Sequence, residues 1–393
     1  MLAHHALESD QFAKAVEFAL SATGGAVAQS NYPLANPMLG IALKAAQALT
    51  PTPENQRVEA RILAWQHLLL WPLARGITVG SSLDRSRQIA HNLNDDRLLA
   101  EASVHQAYVH SDTGPIARAL TCCDVSTAAA ERLGDERMIA ESTMARSRTY
   151  CVHGKLRAGL AAIAPYGTYW DDRRDERKNF LVTARVLAHH LQASAKAGLG
   201  DARGAAMHTS NILRAAAETN RPMDRYVAHR TLGEVLGVGG RQAQASDAFL
   251  SAMAVAREAD LEYLAVWSEA ARAIYMIQGG DAAEGVATLR RILGAGGSQL
   301  NILPRLAAES ALLCHRLNHE GGTDIPTAKD LLKRVRENDL PAVELRILDT
   351  LARCDPNGPP EWATAAKTIR AEEGYAPCAF SDAEVSALME MFA

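Results

Sequence analysis

Five stretches of the chain lie on one frame: Ala107–Ala119 (AYVHSDTGPIARA), Ser147–Gly159 (SRTYCVHGKLRAG), Ala193–Ala205 (ASAKAGLGDARGA), Gly233–Ala245 (GEVLGVGGRQAQA) and Ala273–Gly285 (AIYMIQGGDAAEG). Each carries a glycine in its middle, so Gly114, Gly154, Gly200, Gly240 and Gly280 recur at steps of 40, 46, 40 and 40 residues. Each opens on Ala, Gly or Ser seven residues before that glycine and closes on Ala or Gly five residues after it. About three in ten residues of the chain are Ala, Gly or Ser, so small residues at all ten positions mark a repeat rather than composition. A position seven before a turn lies two helical turns up the first helix, and a position five after lies just over one turn into the second. Both therefore project into the crossing of a helical hairpin, where a small side chain lets the backbones approach. A hairpin leaves one apolar face that only the next hairpin can cover, so such units stack. The frame predicts an all-α fold, an α-solenoid of about nine antiparallel hairpins.

Working outward, the regular array is assigned to 95–298, preceded by N-terminal hairpins over 1–94 and followed by divergent repeats and a capping helix over 299–393. Within the array, Asp95-Asp96-Arg97, Asp135-Glu136-Arg137 and Asp175-Glu176-Arg177 recur at steps of 40. Acids at a helix start suit the macrodipole and the free N–H groups there. The 46-residue step predicts a third unit whose first helix is longer by almost two turns, carrying His189 and His190, and a bend or binding feature near Gly200. In the N-terminal part, Gly24-Gly25 reads as a break, Pro33 as a first-turn residue, and Gly76–Ser82 as a loop after a helix from Glu54. In the C-terminal part, Gly294–Ser298 reads as a joint, Gly321-Gly322 and Asp355–Pro360 as stops, and Ser381 with Glu384 as a capping box.

Bulk composition narrows the function classes. The 393 residues carry 41 Lys and Arg against 45 Asp and Glu, a net charge of −4 with pI about 6.4. No basic stripe or polybasic tail stands out, so neither nucleic acid nor a membrane surface is an expected partner. The longest apolar run, Ile62–Ala74, is too short to span a bilayer. Six cysteines without a CxxC fit a reduced, cytoplasmic compartment, and Met1-Leu-Ala-His-His lacks the charge and apolar core of a secretory leader.

Candidate chemistry is thin. Gly198-Leu-Gly200-Asp-Ala-Arg-Gly204 joins two helices without a preceding strand, so it reads as a hairpin turn and not a phosphate cradle. Cys314, His315 and His319 include two histidines at i and i+4, a ligand-compatible face lacking a recognisable third and fourth ligand. Cys122-Cys123 reads as buried small hydrophobes. There is no GxSxG, HExxH or Cys/His pair in a catalytic context, no Walker loop and no recognition helix. The expectation is a protein that is not an enzyme and needs no cofactor or metal.

A turn glycine with small residues seven before and five after is similar to the spacing of tetratricopeptide repeats. Tyr150, four before Gly154, and Phe249, nine after Gly240, match that family's aromatics, while its Trp-x-x-Leu-Gly start is absent and the period of 40 exceeds its 34. Longer repeats of this kind resemble the C-terminal helical region of MalT-like transcription regulators and of NTPase-linked bacterial adenylate cyclases. The opening Leu2–Glu17 is similar to the segment entering that region. The tetratricopeptide resemblance implies a concave face built from positions 13, 10 and 6 before each turn glycine. Those are Glu101, Val104 and Tyr108; Glu141, Met144 and Arg148; Leu187, His190 and Ser194; Val227, Arg230 and Glu234; Trp267, Ala270 and Ile274. The candidate binding residues are Glu101, Tyr108, Glu141, Arg148, His190, Arg230, Glu234 and Trp267. The implied function is a regulatory scaffold binding a peptide or protein partner. The alternative is the small-molecule-sensing region of a regulator or cyclase, without its NTPase and output domains.

Overall fold

The computed structural model describes residues 1–70, 80–171, 182–294, 300–319, 325–355 and 358–392. Among them there are twenty α-helices and no strand. A short α1 (Leu2–Glu8) leads into the hairpins α2 (Phe12–Ala28) with α3 (Tyr32–Ala48), and α4 (Pro53–Leu70) with α5 (Gly80–Asn92). Then come α6 (Asp96–Thr113) with α7 (Ile116–Leu133), α8 (Glu136–Val152) with α9 (Leu156–Ile163), and α10 (Ala184–Gly198) with α11 (Ala202–Thr219). They are followed by α12 (Pro222–Val238) with α13 (Gln242–Glu258), and α14 (Glu262–Gly279) with α15 (Ala282–Gly294). Next are α16 (Ile302–His319) with α17 (Ile325–Glu337), α18 (Pro341–Cys354) with α19 (Glu361–Glu373), and a closing α20 (Asp382–Phe392). The fold is an α-solenoid of antiparallel hairpins.

The small residues meet where the frame requires. A Cβ on Gly285 would stand 2.7 Å from the carbonyl oxygen of Ala273, its counterpart seven residues before Gly280. On Gly159 it would stand 3.3 Å from the Ser147 carbonyl oxygen, and on Gly233 3.0 Å from the Phe249 ring of the returning helix. Ala107, Ala119, Ala193, Ala205 and Ala245 are fully buried. The turn glycines are not all alike. Gly154, Gly200, Gly240 and Gly280 take φ of +83°, +82°, +74° and +112°, a region that costs other residues about 1–2 kcal/mol. Gly114 sits at φ −168°, extended backbone open to any residue. A second series of left-handed residues, Asn94, Gly134, Asn220 and Asp260, turns the chain between units.

The acidic helix starts act as caps. Asp95 and Asp135 accept from the backbone N–H of Leu98 and Met138, each at 3.1 Å. Arg57 and Arg97, each one unit back, reach the same two carboxylates at 2.8 and 2.9 Å. The unit that follows departs from expectation. α10 is 15 residues long, shorter than α6 or α8, so the additional residues lie between α9 and α10 instead of lengthening a helix. Thr183 fixes that start: its hydroxyl caps Val186, and its own N–H donates to the buried Asp224 carboxylate at 2.8 Å. Gly24-Gly25 is not a break either; α2 runs through both, held by buried Thr23, Ala26 and Val27, and the chain turns earlier at Asp10, φ +54°. α5 begins at Gly80, within the expected loop. Most of that loop, Asp175-Glu176-Arg177, most of the Gly294–Ser298 joint, Gly321-Gly322 and part of Asp355–Pro360 lie outside the described residues. The capping box forms, with Ser381 N–H donating to Glu384 at 2.8 Å and Glu384 N–H to the Ser381 hydroxyl at 3.3 Å.

The winding is tight. α6 touches α16, ten helices on. The α8–α9 turn meets the α17–α18 turn, where His153 Nδ1 lies 3.0 Å from the Asn338 carbonyl and Lys155 pairs with Asp339 at 3.3 Å. The α10–α11 turn meets the segment before α20, with Ala376 N–H donating to the Gly198 carbonyl at 3.3 Å. One superhelical turn therefore takes about five hairpins, and the second turn lies against the first.

Two glycines on the same frame thus have opposite fates. Gly285→Ala drives a methyl into backbone and is expected to lower unfolding stability by about 1–3 kcal/mol. Gly114→Ala, with open space around its Cβ, is expected to be neutral or stabilising by up to about 1 kcal/mol. Urea denaturation followed by circular dichroism checks both, and equal effects at the two sites would refute the hairpin-crossing account.

Candidate functional site

First helices line the inside of the superhelix, and their polar residues are bonded one unit to the next. His190 Nδ1 lies 2.8 Å from the Thr231 hydroxyl, and Ser194 donates to Glu234 at 3.4 Å. The buried Tyr226 hydroxyl donates to the Leu264 carbonyl at 3.2 Å and accepts from Ser268 at 3.2 Å. Partners sit 38 to 42 positions apart, which is the repeat itself.

These helices line a half-open cavity of about 380 Å³, within the range of small-ligand sites. Its walls come from α6, α8, α10, α12 and α14, and its roof from the second superhelical turn: Asn301, Leu303, Pro304 and Ala307 around the start of α16, with Leu340 and Val343 at the α17–α18 turn. Two arginines enter it already paired. Arg148 holds both Asp112 oxygens, at 2.8 and 3.1 Å, and reaches the Ser111 hydroxyl at 2.5 Å, with its carbon 5.4 Å from the Tyr108 ring centre. Arg230 pairs with Glu234 at 2.6 Å and stacks on Trp267, 3.9 Å from the ring centre. Burial works against the Arg230 charge, and Glu234 with the neighbouring tyrosines more than offsets this, so it stays cationic. Its Nε–H is buried without a hydrogen-bond partner among the described residues.

His190 is half-buried and its pKa is lowered to about 4, first by desolvation and then by the two arginines. It is neutral at pH 7. The Thr231 hydroxyl donates to the Val227 carbonyl at 2.6 Å, so it accepts from His190 Nδ1–H, which leaves Nε2 as an acceptor. Burial pushes the Cys151 thiol of the same cavity up to about 12, and among the described residues no hydrogen bond couples it to a base. An inert thiol beside a neutral imidazole provides recognition chemistry, not a nucleophile. His189, next in sequence, points elsewhere: its Nδ1 lies 3.0 Å from His208 Nδ1 and its Nε2 3.0 Å from Asp171.

Of the eight candidate residues, six line this one cavity: Tyr108, Arg148, His190, Arg230, Glu234 and Trp267. Glu101 and Glu141 do not. Glu141 pairs with Arg137 at 3.2 Å on its own helix, and burial raises the pKa of Glu101 beside it. Asp112, Tyr226 and Tyr263 join the wall outside the expected positions; Asp112 stood two residues before a turn glycine, where the frame gave it no inward role. The roof had no local signal, because it depends on superhelical pitch. Elsewhere, Cys314 is buried with its thiol 3.8 Å from the Arg346 carbonyl, and among the described residues no group of three His, Cys, Asp or Glu could hold a metal. Burial pushes Cys123 up to about 12. No described helix is long and apolar enough to cross a membrane.

Architecture and cavity together define a helical-repeat solenoid with a half-open chamber on its inner face. Among solved structures, the chain is similar to a Rap protein complexed with competence and sporulation factor, at a TM-score of 0.66 and 13% identity over 96% of this chain and 99% of that one. That likeness is one of fold. No family model matches the chain, and no curated protein matches its sequence.

The histidines predict an acid limit. His190, His208 and His229 have pKa values lowered to about 4, in each case chiefly by burial, against 6.5 when free. Between pH 6.5 and about 4 the unfolded chain binds more protons, so their contribution is complete above pH 6.5 and is lost as pH falls through that window. For His190 the slope reaches about 1.4 kcal/mol per pH unit. Melting temperatures from pH 7.5 to 4.5 should fall, and His190→Asn, which retains a donor for Thr231, should flatten the profile.

Proposed function

We propose that the chain is a non-enzymatic regulatory scaffold that takes a peptide or protein segment into the chamber on its concave side. The observation that carries this reading is the convergence of six inward side chains from five successive repeats, including Trp267 and Tyr108, on one largely apolar cavity. Paired aromatics and arginines beside apolar walls are the composition of binding hot spots. The solved solenoid of similar fold, complexed with a factor of its own, supports the same use of the architecture. A reduced, cytoplasmic setting accords with six free cysteines.

A second reading has one observation in its favour. The roof from α16 and the α17–α18 turn partly covers the groove, as suits a small effector. On it, the chain is the sensing region of a MalT-like regulator or adenylate cyclase.

Display selection of random hexapeptides on the immobilised chain tests the first reading. Peptides should be enriched and should lose at least ten-fold affinity on Trp267→Ala, which removes the platform under Arg230. A chain that enriches no peptide, yet gains several degrees of melting temperature from a metabolite in a library screen, would establish the second.

A further inference from the structure

The chamber specifies the charge of its occupant, given the reading above that it takes a peptide segment. Among the described residues, four lining side chains carry charge: Arg148, Arg230, Asp112 and Glu234. They sum to zero and are matched in pairs, Arg148 with Asp112 and Arg230 with Glu234. Both Asp112 oxygens accept from Arg148, and the two Glu234 oxygens accept from Arg230 and Ser194. A ligand carboxylate would meet arginines whose charge Asp112 and Glu234 already neutralise. A ligand ammonium would meet carboxylates already neutralised by arginines. Either charge would enter a largely apolar site without a net counter-charge to receive it.

Two lining groups are complementary. Arg230 sits over Trp267, its guanidinium carbon 3.9 Å from the ring centre, and its buried Nε–H has no hydrogen-bond partner among the described residues. On the neighbouring first helix, His190 has committed Nδ1–H to Thr231 and offers Nε2 as an acceptor. A peptide unit matches this donor and this acceptor with its C=O and N–H. Around them the wall is aliphatic: Val182, Leu187, Leu191, Val227, Leu303 and Val343.

We propose that the segment held in this chamber is uncharged, with apolar side chains flanking a backbone amide whose carbonyl accepts from Arg230 Nε–H and whose N–H donates to His190 Nε2.

The test is the composition and chemistry of selected peptides. Hexapeptides selected on the full chain should be depleted at least ten-fold in Asp, Glu, Lys and Arg at their two central positions relative to the input. The best binder, resynthesised with acetylated and amidated ends, should weaken at least ten-fold by calorimetry when a central residue becomes Asp or Lys, and again when one central amide is N-methylated. Arg230→Lys preserves a cation for Glu234 without the Nε edge, and should weaken binding at least ten-fold. His190→Asn preserves the Thr231 bond without Nε2, and carries the test if Arg230→Lys does not fold. A consensus with a required central charge, or binding indifferent to N-methylation and to His190→Asn, overturns the proposal while leaving peptide binding intact. Enrichment of no peptide overturns the underlying reading as well.

Discussion

The close approach of two backbones at each hairpin crossing is the constraint from which the rest of this molecule follows. Where Gly285 faces the Ala273 carbonyl, or Gly159 that of Ser147, one methyl group is more than the space admits or nearly so. Helices that lie this near make thin units, and the small rotation between units sets the curvature of a solenoid. Here the curvature is high enough that α6 meets α16. The chamber is a consequence: first helices line the inside of the coil, and the next turn of the same coil partly covers it. Alanine and glycine at the crossings therefore influence binding geometry from positions that touch no ligand.

A coil that meets itself needs something to hold the turns in register, and the segment before α20 does this. It runs across the turns of three consecutive hairpins. Tyr375 donates to the Gly154 carbonyl at 2.5 Å, Ala376 bonds Gly198, and Arg241 donates to the Phe380 carbonyl at 2.8 Å and pairs with Asp382 at 2.7 Å. The turn glycines take on a second duty at this seam. A Cβ on Gly154 would lie 2.8 Å from the Tyr375 hydroxyl, and on Gly200 2.9 Å from the Pro377 carbonyl. Left-handed backbone alone would admit asparagine there, as Asn220 shows between units. The seam removes that latitude at Gly154 and Gly200, whereas Gly240 has only its own φ to satisfy.

How much could be read in advance divides along the range of the interaction. Hairpin crossings, caps at Asp95 and Asp135 and the terminal capping box depend on residues within about a dozen positions, and spacing exposes them. The resemblance to tetratricopeptide repeats also implies inward positions, which is why Tyr108, Arg148 and Trp267 could be singled out. Three things lay beyond that range. Gly24-Gly25 stay helical because tertiary packing outweighs a propensity cost of about 1 kcal/mol each. The start of α10 is set by Asp224, 41 residues from Thr183. The roof over the chamber is set by pitch, a sum of small rotations over five units that no single residue encodes.

The charges of the inner face illustrate the same division. In sequence, Arg148, Arg230 and Glu234 look like groups awaiting a ligand, because a string of letters shows charge without its partner. In the folded chain each arginine already has its partner: Arg148 pairs with Asp112 across successive units, and Arg230 with Glu234 within α12. Such pairs add little net stability, since desolvation cancels most of the attraction, but a mismatched neighbour would leave a bare charge. The Arg148–Asp112 pair therefore favours one register of the stack over others. The selectivity of the chamber then falls to what this internal pairing leaves over: a single N–H edge on Arg230, a single imidazole lone pair on His190, and aliphatic surface between them. A polar-looking wall is thus, to an occupant, a nearly apolar one with two directional contacts.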